Sequence, residues 1–435
     1  MFAGVKAERL RAVAIISAIT FFGLALGPLV GGFLLKHYAW GSIFLINVPI
    51  VAIALLAVWR LVPETRDPRE PPLDWFGAAL SIAGVSALVY GIIEQPMYGW
   101  GSVRVLAGVI AGVLLLAVFV ALQLRGRLRV ADLRLFGRPF FGLSTFAIAI
   151  VMFALGGVFF MLPQFLQIVQ SHDAQATGIR MLPLMGGLIL GAGLADQLTA
   201  KAGYKVMIAG GLVVSSAGAV LLSLIGAASA FGMIAGAEAV IGLGMGLVLP
   251  TAGDAVVGEL PETESGSGFA LFRTAQFVAL ALGVAILGSL LNESYRSGLS
   301  GHLGGLPAPV LGAAQQSIAA TQGLAPHVFA AARTSYASGM DEVMLVSAGL
   351  LVAAAVLVTL FLPARVSQQR KLDGAAIAVA TAAGNPPGRV ASSTPAPNQS
   401  RQVRAPSPTS AHPALTRTRE HPADIDHSIR PGKTS

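Results

Sequence analysis

Glu238, Asp254 and Arg273 are ionisable side chains set inside otherwise apolar runs of the sequence. A charge in such surroundings costs a few kcal/mol or more, so it normally faces a cavity or a partner. Glu238 lies about seven residues into its run, roughly 10 Å deep at about 1.5 Å per residue. It can serve as an exchange site for a proton or a substrate cation, or it can rest between helices as a protonated or water-paired glutamate. Arg273 is similarly deep in the following run, and Asp254 lies near the far end of the preceding one. As antiparallel neighbours those runs would let Arg273 reach toward Asp254; the alternative is that its long stem snorkels to the interface. Gln164 and Gln167 offer uncharged hydrogen-bonding groups, either to an outward mouth or to helix packing.

Other chemistries find no support. Gly242-Leu-Gly244-Met-Gly246 sits inside an apolar run, with no strand before it and no acidic residue at the spacing a dinucleotide site needs. Pro431-Gly-Lys433-Thr434 lacks the upstream glycine of a phosphate-binding loop. The seven histidines show no metal spacing, and cysteine is absent, which removes disulfides and thiolate sites. No hydrolytic triad is readable. The sequence therefore points to no enzyme, no cofactor and no metal.

The elements that must position these residues follow from composition. The chain of 435 residues is 54% hydrophobic and 11% charged, with a mean hydropathy of +0.73. Soluble domains carry about 25% charged residues, so lipid must solvate most of this chain. A spanning helix needs about 20 apolar residues. Ten runs qualify: Ala12–Leu35, Phe44–Val62, Trp75–Ile93, Val105–Leu124, Phe140–Val169, Ile179–Leu198, Tyr204–Ile225, Phe231–Val257, Gly266–Leu291 and Val343–Leu362. Transmembrane barrels use alternating strands of about ten residues, whereas these runs are long and continuous. The first is too long for a signal peptide and no small-residue cleavage site follows it. The predicted fold is an all-α polytopic membrane bundle.

Basic residues orient it. Lys6, Arg9 and Arg11, then Arg60, Arg66 and Arg69, then Arg125, Arg127, Arg129, Arg134 and Arg138, then Lys201 and Lys205 fall on one side, with the tail. The opposite loops hold Lys36, Arg104, Arg180, Arg296 and Arg333. By the positive-inside rule the first set is cytoplasmic, and both termini with it. The formal charge of +8 suggests nucleic acid until it is located. Residues 364–435 hold ten Lys/Arg against four Asp/Glu, so six of the eight excess charges lie in that tail. It is rich in Pro, Ser, Thr and Arg and is expected to be disordered and cytoplasmic. Weak affinity for anionic lipid headgroups is the alternative to a plain solvated tail. Residues 292–342, rich in Gly, Ala and Ser, are expected to form an external connection with short amphipathic helices.

The strongest local pattern is Gly23-Leu-Ala-Leu-Gly27-Pro28-Leu-Val-Gly31-Gly32. Gly23, Gly27 and Gly31 recur every fourth residue, so they share one helical face and leave room for a neighbouring backbone. GxxxG alone signifies close packing; GxxxGPxxGG is much narrower. It resembles the antiporter signature in the fifth helix of drug:proton antiporters of the major facilitator superfamily. Trp40-Gly-Ser-Ile-Phe44-Leu-Ile-Asn47-Val-Pro49 is similar to the hinge between helices five and six of the fourteen-helix branch, with Gly41 and Ser42 where Arg and Trp are usual. Asp74-Trp75-Phe-Gly77, Asp132-Leu-Arg134-Leu-Phe136 and Leu162-Pro163-Gln164-Phe165-Leu166-Gln167 resemble later segments in the same order. Gly193-Leu194-Ala195-Asp196 with Lys201 and Lys205 is similar to a degraded copy of the family's cytoplasmic loop signature. The resemblance makes Asp196 a candidate conformational latch; an ordinary helix cap is the alternative.

The resemblance implies a division of the chain: residues 1–64 as two helices of an N-terminal half, 65–138 as two central helices and a basic loop, 139–363 as a six-helix C-terminal half, and 364–435 as the tail. Positions matching helices one to four would precede Met1, including an acidic residue of helix one that often couples protons. The implied function is proton-coupled export of small hydrophobic compounds across the plasma membrane, with the lipid bilayer, substrate and protons as partners. The alternatives are a truncated membrane protein that does not transport, acting as remnant or partner subunit, and an exporter of a metabolite such as an amino acid or sugar.

Overall fold

The computed structural model describes residues 23, 26–61, 74–125, 133–260, 265–300 and 308–363. Among these it is helical throughout, without strands. Helix α1 covers 26–37; α2 is Ser42–Leu45, α3 Asn47–Leu61, α4 Trp75–Tyr98 and α5 Val103–Leu124. Then come α6 (Pro139–Gln164), α7 (Ala174–Arg180), α8 (Leu182–Ala202), α9 (Tyr204–Ser223), α10 (Phe231–Glu259), α11 (Ser265–Ser300), α12 (Ala308–Gln316) and α13 (Pro326–Phe361). Nine stretches among the described residues are long and apolar enough to cross a membrane. Most of the expected run Ala12–Leu35, and all of the tail 364–435, lie outside the described residues.

Local chemistry sets the helix ends. Asp74 caps α4 by accepting from the Gly77 N–H at 2.8 Å. Prolines open α6, α8 and α13, where a missing N–H costs nothing. Gly203, at φ +85°, turns α8 into α9 through a left-handed conformation that a side chain would resist.

α6 forms the centre of the packed body, buried along most of its length and in contact with α10, α11 and α13. Tyr336 of α13 donates to the Met161 carbonyl of α6 at 3.0 Å, and Ser216 of α9 donates to the Ala348 carbonyl of α13 at 3.0 Å. By contrast, α3 has no buried residue.

Two expectations change. α10 and α11 are consecutive in the chain but meet only slightly, because α6 packs against both. The connection expected over 292–342 is largely helix: α11 continues to Ser300, α12 and a 3₁₀ turn over Ile318–Thr321 come next, and α13 begins at Pro326. At 36 residues each, α11 and α13 are about 54 Å long, well beyond a hydrocarbon core of about 30 Å. Their extensions hold each other in place. Tyr295 meets Tyr336 edge to face at 6.3 Å, and Gly339 packs against Leu291 and Ser294.

Candidate functional site

α8 and α10 touch backbone to backbone. A Cβ on Gly187 or Gly191 would lie 2.2 Å from the carbonyl oxygen of Ala239 or Leu243. A Cβ on Gly242 or Gly246 would lie 2.2 Å from that of Leu184 or Leu188. Residue numbers rise together across the contact, so the helices are parallel, and the small residues at spacing four interlock as membrane helices permit. Gly244 turns to the other neighbour, where a Cβ would meet the Ser215 amide nitrogen of α9 at 2.3 Å. The glycine run over 242–246 thus packs α10 between two helices.

This register fixes Glu238. It stands one turn before Gly242 on the same face, opposite the first turn of α8. Its exposure is 0%, and neither carboxyl oxygen has a hydrogen-bond partner among the described residues. The Leu184 amide at the start of α8 is directed toward it without closing a bond of normal geometry, and Pro183 has no N–H to offer. A charge there is costly unless a proton or cation accompanies it.

A groove of about 230 Å³ runs beside this helix start, between α1 and the segment joining α6 to α8. Pro28, Gly31 and Gly32 line one wall; Phe159, Gln167, Thr177 and Met181 line the other. Met181 is the residue from which α8 begins, so it lies at the register of Glu238 and faces the groove.

The signature helix α1 closes on α7 through Pro28 and Gly32, rather than through the expected face of Gly23, Gly27 and Gly31. A Cβ on Gly32 would lie 2.4 Å from the Ala174 carbonyl oxygen, and one on Gly178 would lie 2.2 Å from that of Pro28. Nothing described lies within 4 Å of a Cβ placed on Gly23, Gly27 or Gly31. Positions 28 and 32 share a face rotated from that of 27 and 31, so Gly31 borders the groove while its neighbour makes the contact. Lys36 extends the closure, pairing with Asp173 at 3.0 Å. The Ala176 N–H first, and the Lys36 ammonium next, hold the Asp173 carboxyl below the usual carboxylate range. Burial, and then Arg180, hold the adjacent His172 below the ordinary histidine value. Asp173, Thr177 and Met181 carry no signal of this role in the sequence; for Lys36, only its position at the end of the signature helix hints at one.

The two glutamines separate. Pro163 interrupts α6, and the π-turn over Phe165–Val169 rotates the chain beyond it. Gln167 therefore enters the groove. Gln164 donates to the Phe160 carbonyl at 3.0 Å and borders a second cavity of about 90 Å³ with Tyr295 and Tyr336.

The remaining candidates are not brought together. Arg273 is exposed, donates to Gln276 Oε1 at 3.1 Å and lies over the Phe269 ring. It does not pair with Asp254, which is exposed on α10. Asp196 lies within α8, an exposed position well before the turn at Gly203, rather than on the turn itself. No cluster of metal-ligating side chains occurs among the described residues.

The sequence profile of the Major Facilitator Superfamily matches residues 4–284. The chain belongs to that superfamily. Among curated relatives it is 32% identical over 371 residues to the multidrug efflux pump LfrA of Mycolicibacterium smegmatis, covering 82% of this chain and 72% of LfrA. It is 30% identical over 296 residues to the multidrug resistance protein Stp of Mycobacterium tuberculosis, covering 68% and 55%. The methyl viologen resistance protein SmvA of Salmonella typhimurium is 29% identical over 293 residues, covering 67% and 59%. The chain thus spans little more than half the length of Stp and SmvA. It is a multi-pass membrane protein of a transporter superfamily.

Proposed function

We propose that the protein is a proton-coupled exporter of small hydrophobic compounds, organic cations among them. The groove between α1 and α6–α8 receives the apolar body of the substrate, with Gln167 as a polar contact. Glu238, opposite the first turn of α8, holds either a proton or the positive charge of the substrate, so that arrival of one releases the other. Both termini are cytoplasmic by the distribution of Lys and Arg. The observation that carries this reading is Glu238 itself, fully buried beside the start of α8 with neither oxygen hydrogen-bonded among the described residues. Ionisable side chains inside membrane spans are rare and commonly mark a substrate, ion or proton pathway. The relatives named for methyl viologen resistance and multidrug efflux support the substrate class.

The test is cell survival. Cells expressing the chain should tolerate more methyl viologen than cells with empty vector. Glu238→Gln, expressed to the same level in the membrane, should remove the difference. Equal protection by the two proteins would end the assignment of Glu238, and protection by neither would end the exporter reading.

A further inference from the structure

Pro96 lies in the last turn of α4. Having no N–H, it leaves the Ile92 carbonyl, four residues earlier, without its helical partner. In hydrocarbon there is no water to replace that bond. Ser289 of α11 supplies it: its hydroxyl stands 3.0 Å from the Ile92 oxygen and 3.1 Å from Gln95 Oε1, donating to one at a time. The buried Gln95 donates in turn to Glu293 Oε2 at 2.9 Å. Arg296 donates to the Pro96 carbonyl. Ser289, Glu293 and Arg296 are spaced by four and three residues, so α11 presents them as one polar stripe, matched to the polar groups around Pro96 of α4.

α4 also packs closely on α5, one turn before this seam. A Cβ on Gly91 would lie 2.7 Å from the Val109 amide nitrogen, and one on Gly112 would lie 2.5 Å from that of Leu88. The two central helices therefore form a tight hairpin whose polar end is read by α11, and α11 packs against α6 and α13.

We propose that α4 and α5 are anchored through this stripe to the body formed by α6–α13, and move with it as one unit when the protein changes conformation. The hairpin is then a fixed appendage of one half of the transporter rather than a hinge between halves. The chain has no cysteine, so introduced pairs report cleanly. Spin labels at Val113→Cys on α5 and Val346→Cys on α13, both exposed positions, measure the hairpin against the body by pulsed electron resonance. The full chain is placed in lipid nanodiscs at pH 5.5 and pH 8, with and without methyl viologen. The distance should stay narrow and constant in all four conditions, and should broaden when Ser289→Ala and Arg296→Ala are combined. A shift of about one helical turn, 5.4 Å, in the unaltered seam would overturn the proposal. So would a distribution left unchanged by the double substitution. If the double variant does not fold, the four conditions on the intact seam decide alone. No transport is read, so failure of the exporter reading would leave this inference standing.

Discussion

Replacing Gly242 with alanine would place a methyl group 2.2 Å from the Leu184 carbonyl oxygen and 3.0 Å from the Leu188 amide nitrogen. Both obstacles are backbone atoms of α8, so no side chain can rotate out of the way. Restoring ordinary contact requires the helices to part by about 1 Å, and overpacking of this kind costs about 1–3 kcal/mol. Alanine also favours a helix over glycine by about 1 kcal/mol, which offsets part of the loss. A control lies on the same helix: a Cβ on Gly236 meets nothing within 4 Å, so Gly236→Ala should be neutral or stabilising. The two variants should differ by about 1–3 kcal/mol although their chemistry is identical. Thermal unfolding in detergent, monitored by intrinsic tryptophan fluorescence, should rank Gly236→Ala at or above the parent and Gly242→Ala below it. Equal melting of the two variants would refute the backbone contact between α8 and α10, and with it the register that places Glu238.

The other contacts yield outcomes of the same kind. Asp173→Asn should loosen α1 from α7 and speed maleimide labelling of Gln175→Cys, beside Gly32; an unchanged rate would show that the Lys36 pair is incidental. Because the folded Asp173 carboxyl titrates below its usual range, the pair is fully formed at and above that range and is lost as pH falls through the depressed value. Added salt should weaken it also, since both partners are about half exposed. Ser289→Ala should lower stability by about 1 kcal/mol, and by much less in a Pro96→Ala background, where the Ile92 carbonyl regains its helical bond. Equal losses in the two backgrounds would contradict the reading of that seam.

The residues that stand out in the sequence share a property: their signal is local. Glu238 is a lone carboxylate in an apolar run, and Pro28 with Gly31 and Gly32 belongs to a string much narrower than GxxxG, specific together with the segments that follow it in order. The features hidden from the sequence depend on the path of the chain in space. Arg273 and Asp254 look like partners because their helices are consecutive, yet α10 and α11 meet only slightly, each packing instead on α6. Gln164 and Gln167, three residues apart, would share a face on a regular helix; the π-turn after Pro163 sends them to different cavities. The likeness of Gly193–Asp196 to a loop signature suggests a loop or helix cap at Asp196, but α8 continues to Ala202. The glycines at 187, 191, 242 and 246 promise close packing in general terms. That they face one another is a property of the fold.

Proton release from the purified protein reads the exchange at Glu238 itself. Methyl viologen is added to the full chain in unbuffered detergent solution, and the pH change is compared between the parent and Glu238→Gln. The parent should acidify the solution as the cation displaces the Glu238 proton, and the variant should not. Equal release from both proteins would contradict that exchange.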